Sequence, residues 1–299
     1  MAHFDASRRV ALRLAQGLGA WLTLGAFGGI ERRFAPKAKL WPKWQVHDPA
    51  STISVDHNDW RQFLADYLSI DAAGVARVAY GRVTGESRAL LRDYIGRLSS
   101  TAAAGLNRNE QMALWINLYN AATIDVVLEH YPVATILDID TSPGLIADGP
   151  WDEKRLSMDG ERLTLNDIEH RILRPVFGDN RIHFAVNCAS VGCPNLAPEP
   201  YTATTLEAML AAATRSYVNH PRGAHLDDDR LTVSKIFDWY ADDFGGSEAS
   251  VLAFIAARAE PPLAAALMAR TGSLKVAYDW ALNDDPPVLS RASTSRRSR

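Results

Sequence analysis

Cysteine is scarce: the 299 residues hold only Cys188 and Cys193. Two thiols cannot build a disulfide-dense scaffold or a four-thiolate zinc site. Glycine (19) and proline (15) are neither abundant nor periodic, which excludes collagen-like and low-complexity chains. Long apolar runs are missing apart from one, residues 14–30, which carries no charge but is diluted by five glycines, Gln16 and Thr23. Basic residues are depleted from the body of the chain. Residues 1–46 hold eight Lys and Arg against Asp5 and Glu31, and residues 290–299 hold four Arg and no acid, leaving 20 basic against 33 acidic residues between. That body repels phosphate backbones, so nucleic acid is not an expected partner.

What is present is an ordinary globular composition, 47% hydrophobic and 22% charged, enough to bury a sizeable core. The run at 14–30 follows Arg8, Arg9 and Arg13, and Ser7 to Leu12 loosely resembles a twin-arginine signal. Residues 1–40 therefore read as an export signal or a membrane anchor, with membrane association through residues 10–30. The expected location is exported, periplasmic or tethered to the bacterial inner membrane. An ordinary packed N-terminal helix is the competing reading. Residues 290–299 read as a disordered basic tail.

Periodicity predicts mostly helix. Trp60, Phe63, Leu64, Tyr67 and Leu68 form one helical face, as do Leu90, Leu91, Tyr94 and Leu98. A long helix is predicted from about 108 to 129, stopped before Pro132. Thr164 opens a capped helix that should end near Pro175. Further helices are expected near 205–218, 235–243, 247–258 and 261–270. Hairpins are expected at 155–163, around Asp159-Gly160, and at 225–233. Residues 181–187 read as a buried strand. The prediction is α+β: a helix-rich single domain over 41–289, packed on a small, mostly antiparallel sheet.

The densest polar stretch is 183–194. Cys188, at the end of the expected strand and before Ala189-Ser190, suits a nucleophile, although a free cysteine is more often buried and inert. Asn117 and Asn120 share a helix face and are either structural or donors for a ligand carbonyl. Asn187 and Ser190 lie beside the thiol in sequence and join them as candidate oxyanion donors. A straight strand would place His183 about 16 Å from Cys188 and on the opposite face, so either the chain turns sharply before Cys188 or the base comes from elsewhere, with His170 the leading alternative. His130, His220 and His225 are weaker candidates. Zinc held by Cys188, Cys193, His170 and His183 ranks low because the compact cysteine spacing is absent. In an exported protein the two cysteines could instead close a small disulfide loop.

Four ordered motifs carry a resemblance: residues 115–121, 165–174, 183–194 and 234–240 with Asp243-Phe244. Together they resemble the domain-of-unknown-function family 547, whose residues are similar to those of papain-like and transglutaminase-like thiol enzymes. The resemblance implies a thiol-dependent amide hydrolase or transferase acting on peptide-like or protein substrates without cofactor or metal. In it Cys188 would be the nucleophile, His170 or His183 the base and Glu169 the orienting carboxylate. A papain-like cysteine opens a helix, whereas Cys188 precedes Gly192 and Pro194. The alternative expectation is a non-catalytic exported binding or scaffold domain with Cys188 and Cys193 buried or paired.

Overall fold

The computed structural model describes residues 22–33, 35–143, 149–227, 230–269 and 274–285. The arginines before the apolar run, the run's first half and the 290–299 tail lie outside them.

The centre of the fold is a helix that is apolar on almost every side. Such a helix must be surrounded rather than laid on a surface. Arg108–His130 (α3) is buried from Glu110 to Val127, with Trp115 at its middle. Asn107 caps it by accepting the Glu110 N–H at 3.0 Å. Gly85–Ser99 (α2) packs beside it and Asn58–Tyr67 (α1) packs on α2, burying their apolar stripes, except that Leu90 is half exposed. The hairpin Leu68–Ile70 (β2) with Ala76–Val78 (β3) follows α1, and Leu156–Met158 (β4) pairs with Glu161–Leu163 (β5) where the Asp159-Gly160 turn was expected.

Around 167 the helix takes an unusual form. Thr164 and Asp167 cap one another, with the Asp167 N–H donating to Thr164 Oγ1 at 2.9 Å and the Thr164 N–H to Asp167 Oδ2 at 3.1 Å. Asp167–Leu173 is then a π-helix, tightening into Arg174–Phe177 (α4) and ending at Gly178 in the left-handed region. The helix thus ends at Phe177, near Pro175 as the sequence suggested.

A second apolar cluster surrounds a four-stranded sheet. Leu206–Val218 (α5) leads into Ala224–Asp227 (β6) and Arg230–Ser234 (β7), followed by Lys235–Trp239 (α6), Glu248–Ala256 (α7), Pro261–Ala269 (α8) and Lys275–Asp279 (β8). Together with Leu22–Ala26 (β1), the sheet order is β1-β8-β7-β6; only β7 and β8 run parallel. The fold is α+β: helices dominate, and the small sheets are mostly antiparallel. Phe184, Phe237, Phe244 and Phe254 meet at the heart of this second cluster, with ring centroids 4.8–6.2 Å apart.

Strand β1 falls inside the segment whose composition resembles a signal or anchor. The chain after it is also tied down: the Gly28 N–H donates to Asp238 Oδ1 at 2.7 Å, Glu31 pairs with the buried Lys235 at 2.6 Å, and Pro36 offers its carbonyl to Arg174 at 2.9 Å. Among the described residues no helix is long and apolar enough to cross a membrane. Removing residues 1–40 should therefore unpair β8 and strand the Lys235 ammonium, lowering the melting temperature by on the order of 10 °C. A thermal melt of the truncated chain that coincides with the full-length one would refute this.

Candidate functional site

Residues 181–187 are not a strand. Asp179 accepts the Arg181 N–H at 2.9 Å and caps a 3₁₀ turn over Asn180–Phe184. The extended-chain separation of His183 and Cys188 therefore does not apply. The chain turns because Asn120 reaches up from α3, donating to the Ala185 carbonyl at 2.9 Å while its Oδ1 accepts the Asn187 N–H at 2.8 Å. Asn187 then bends the next residues. Its Oδ1 accepts the Ala189 N–H at 2.8 Å, its Nδ2 donates to the Pro194 carbonyl at 2.7 Å, and Ala189 sits at φ 62°.

The loop that follows lies along the extension of β8. The Val191 N–H donates to the Ala281 carbonyl and the Gly192 N–H to the Asp279 carbonyl, both at 2.8 Å. A Cβ on Gly192 would meet the Asp279 backbone at 2.7 Å, so the close approach requires glycine here.

Asn117 is occupied in the same way as the other two amides, donating to the Tyr201 carbonyl at 2.7 Å and accepting the Tyr201 N–H at 3.0 Å. Asn120 and Asn187 thus hold the loop and Asn117 holds the chain at Tyr201, the structural one of the two roles that their sequence context allows. Ser190 remains beside the thiol, with its Oγ 3.6 Å from Cys188 Sγ.

Cys188 is half-buried against the second apolar cluster, and hydroxyl and thiol groups lie near its sulfur and amide. Tyr278 Oη of β8 is 3.0 Å from the sulfur, and the Cys188 N–H donates to Cys193 Sγ at 3.0 Å. Burial pushes the Cys188 thiol up. Donation from Cys193, Tyr278 and the side chain and backbone of Ser190 outweighs it and holds the thiol below its ordinary value. Cys193 goes the other way, raised well above by burial and by its charged neighbour. Neither His170 nor His183 is hydrogen-bonded to Cys188, so the thiol–imidazole pair expected from the sequence is not formed.

The histidines belong to a second cluster, built on the π-helix. Arg174 and Asp243 form a two-pronged pair at 2.6 and 3.1 Å, and His183 Nε2 lies 2.7 Å from Asp243 Oδ2. Burial would raise the Asp243 carboxyl, but His183 and Arg174 hold it well below the usual carboxylate range. Tyr240 stacks on the His183 ring at 4.4 Å, with the Arg174 guanidinium 4.7 Å from the other ring centroid. Arg174 can only donate, so the His170 Nδ1 that it meets at 3.1 Å must accept, and the neutral ring carries its proton on Nε2. Burial holds His170 down to about 4, so it is uncharged at neutral pH.

Glu169 is buried with Oε1 3.8 Å from His183 Nδ1 and 3.9 Å from His170 Nδ1, beyond hydrogen-bond reach. The carboxylate that orients an imidazole is Asp243, not Glu169. Asp243, Arg174, Tyr240 and Tyr278 are the site residues that the sequence reading did not assign. The first three lie within or beside the quoted motifs, and the fourth carries no motif signal. The two clusters share their walls, since the charges of Cys188 and Glu169 both raise the Tyr119 and Tyr240 phenols, whose largest shift comes from burial.

Residues 103–218 match the model of a family described as a protein of unknown function, DUF547. This stretch is a DUF547 segment. It contains α3, the π-helix and the Cys188 loop, while Tyr240, Asp243 and Tyr278 lie beyond it. Comparisons with curated proteins and with solved structures each found no match. Among the described residues, no group of three or more His, Cys, Asp and Glu side chains is placed to hold a metal ion. Cys188, Cys193, His170 and His183 thus do not assemble as a zinc set. His130 ends α3 bonded to the Val126 carbonyl, His220 meets the Ala73 carbonyl, and His225 lies in β6. None of the three touches the thiol.

Proposed function

We propose that this protein is a thiol-dependent hydrolase or transferase of acyl groups in peptide-like substrates, with Cys188 as the nucleophile. The observation that carries this reading is a half-buried sulfur facing Tyr278, Ser190 and Cys193, all of which can donate to its anion. A thiolate stabilised in this way attacks a carbonyl without a base hydrogen-bonded to it. His183, oriented through Nε2 by Asp243, serves through Nδ1, which faces Glu169 Oε1 at 3.8 Å, as the proton carrier for the leaving group. Glu169, set between the two imidazoles, stabilises the charge that this transfer creates. Arg174 and Tyr240 hold His183 in place. The charge-free run supports export or tethering of the centre, with any cut before Leu22 so that β1 is kept.

The test is alkylation of the full chain by iodoacetamide at pH 6–7, read by peptide mass. Cys188 should label at least about tenfold faster than Cys193, and Tyr278→Phe should slow Cys188 by about tenfold, the worth of one hydrogen bond to a charged group. An activated ester should acylate the wild type at Cys188 and leave Cys188→Ser untouched. Equally slow labelling of both cysteines would reject the nucleophile. The non-catalytic binding or scaffold reading, favoured by the contact between Cys188 and Cys193, would then stand.

A further inference from the structure

We infer that Cys188 and Cys193 form a reversible two-electron redox pair, in which Cys188 reacts first with a peroxide and Cys193 resolves it to an intramolecular disulfide. The inference rests on the reading of Cys188 as the reactive thiol, and adds to it a partner and a direction of reaction.

Placement is the first argument. The Cys193 N–H donates to the Ser190 carbonyl at 3.1 Å, closing a tight turn that brings its side chain back over Cys188. With Cys193 Sγ 3.0 Å from the Cys188 nitrogen, bond lengths hold the two Cα atoms within about 7 Å, the span that a disulfide bridges. The short loop from 188 to 193 therefore closes without moving an element of secondary structure.

Asymmetry is the second. Cys188 is half-buried and Cys193 is buried, so an oxidant arriving from solvent meets Cys188. The two thiols are also displaced in opposite senses, Cys188 downward and Cys193 upward, which makes the accessible sulfur the more readily ionised one. Susceptibility to oxidation follows thiolate character and exposure.

The chemistry balances with hydrogen peroxide or an organic hydroperoxide as oxidant. The Cys188 thiolate attacks the outer peroxide oxygen, forming S–O and breaking O–O, and the released oxygen leaves as water or alcohol after taking a proton. Cys193 then attacks the sulfenic sulfur; the S–S bond forms, and the hydroxyl leaves with the Cys193 proton as water. Two thiols are oxidised by two electrons and one peroxide is reduced. A dithiol reagent restores both thiols by exchange.

The experiment treats the reduced full chain with one equivalent of hydrogen peroxide and reads intact and peptide masses. The wild type should lose two hydrogens, yield a Cys188–Cys193 bridged peptide and recover both thiols with dithiothreitol. Cys193→Ser should instead accumulate a sulfenic acid at Cys188 that dimedone traps. Cys188→Ser should leave Cys193 unmodified at the same dose. Cys193→Ala serves as a second resolving-thiol variant, and near-ultraviolet circular dichroism checks that each variant is folded. Overoxidation of Cys188 without a bridge, bridging only between molecules, or prior oxidation of Cys193 would overturn the pair. A chain whose Cys188 alkylates fast yet never bridges refutes the redox pair alone. One whose Cys188 neither alkylates nor oxidises refutes the nucleophile as well.

Discussion

Replacing Asp243 by Ala should cost about 3–5 kcal/mol of stability, the usual loss when one partner of a buried ion pair is removed. The Arg174 side chain is 3% exposed and His183 is as deeply buried, and both depend on this one carboxylate. Without it, Arg174 keeps only the Pro36 carbonyl and the His170 nitrogen as acceptors. The guanidinium cannot shed its charge, so it must stay buried poorly paired or drag the π-helix open. Asp243→Asn keeps the shape and one acceptor and should lose less. Urea denaturation of the two variants reads the difference, and a loss below about 1 kcal/mol for the alanine would mean that water already reaches the cluster.

Acid should weaken the fold in two stages, the first unusually early. Burial lowers both His57 and His170 from 6.5 to about 4. Between those values the unfolded chain takes up a proton that the folded chain refuses, so stability is full above about 6.5, falls as the pH drops and levels off below about 4. Each imidazole accounts for about 3 kcal/mol across that window. Asp243 acts in the same direction but lower. Its folded carboxyl is held down, so its contribution is present above the unfolded value near 4 and is lost as the pH falls further. The urea midpoint should decline steadily from pH 7 to pH 4.5, and His57→Gln should flatten part of that decline. A constant midpoint over that interval would contradict the buried neutral imidazoles.

The legible parts of this chain were those written in local periodicity. Helices α1, α2, α3 and α5 and the hairpins β4–β5 and β6–β7 follow from the spacing of apolar residues and from turn pairs such as Asp159-Gly160. Residues 181–187 were misread because a short run such as Ile182 to Val186 fits a buried strand and a buried turn equally well. The choice was made from outside by Asn120, more than sixty residues away in sequence. Leu22–Ala26 was overshadowed by composition: its neighbours read as an export signal, and its partner strand lies at the other end of the chain. Cys188, Glu169 and the two histidines were found from residue type, but their roles were not. Asp243 sits 60 residues from His183, and Tyr278 sits 90 from Cys188, so neither pairing leaves a trace in local sequence. The helix amides stayed open between two roles for a related reason, since an amide that fixes the backbone and one that binds a ligand look alike until its acceptor is known.

The pairing of β1 with β8 joins the first described strand to the last, and a ribosome makes the chain in one direction. Among the described residues, every hydrogen-bond partner of Cys188 except Tyr278 has been synthesised by residue 193, yet the strand that carries Tyr278 emerges some 85 residues later. Through that interval β1 waits without its neighbour, and the two thiols have no β8 extension to pack against. The nascent chain should therefore be most open to aggregation and to wrong thiol chemistry late in translation, when α3 and its surroundings are already able to collapse. A chaperone holding the N-terminal strand, or a slow stretch of codons after residue 218, would act at the one stage where the order of synthesis and the order of the sheet conflict.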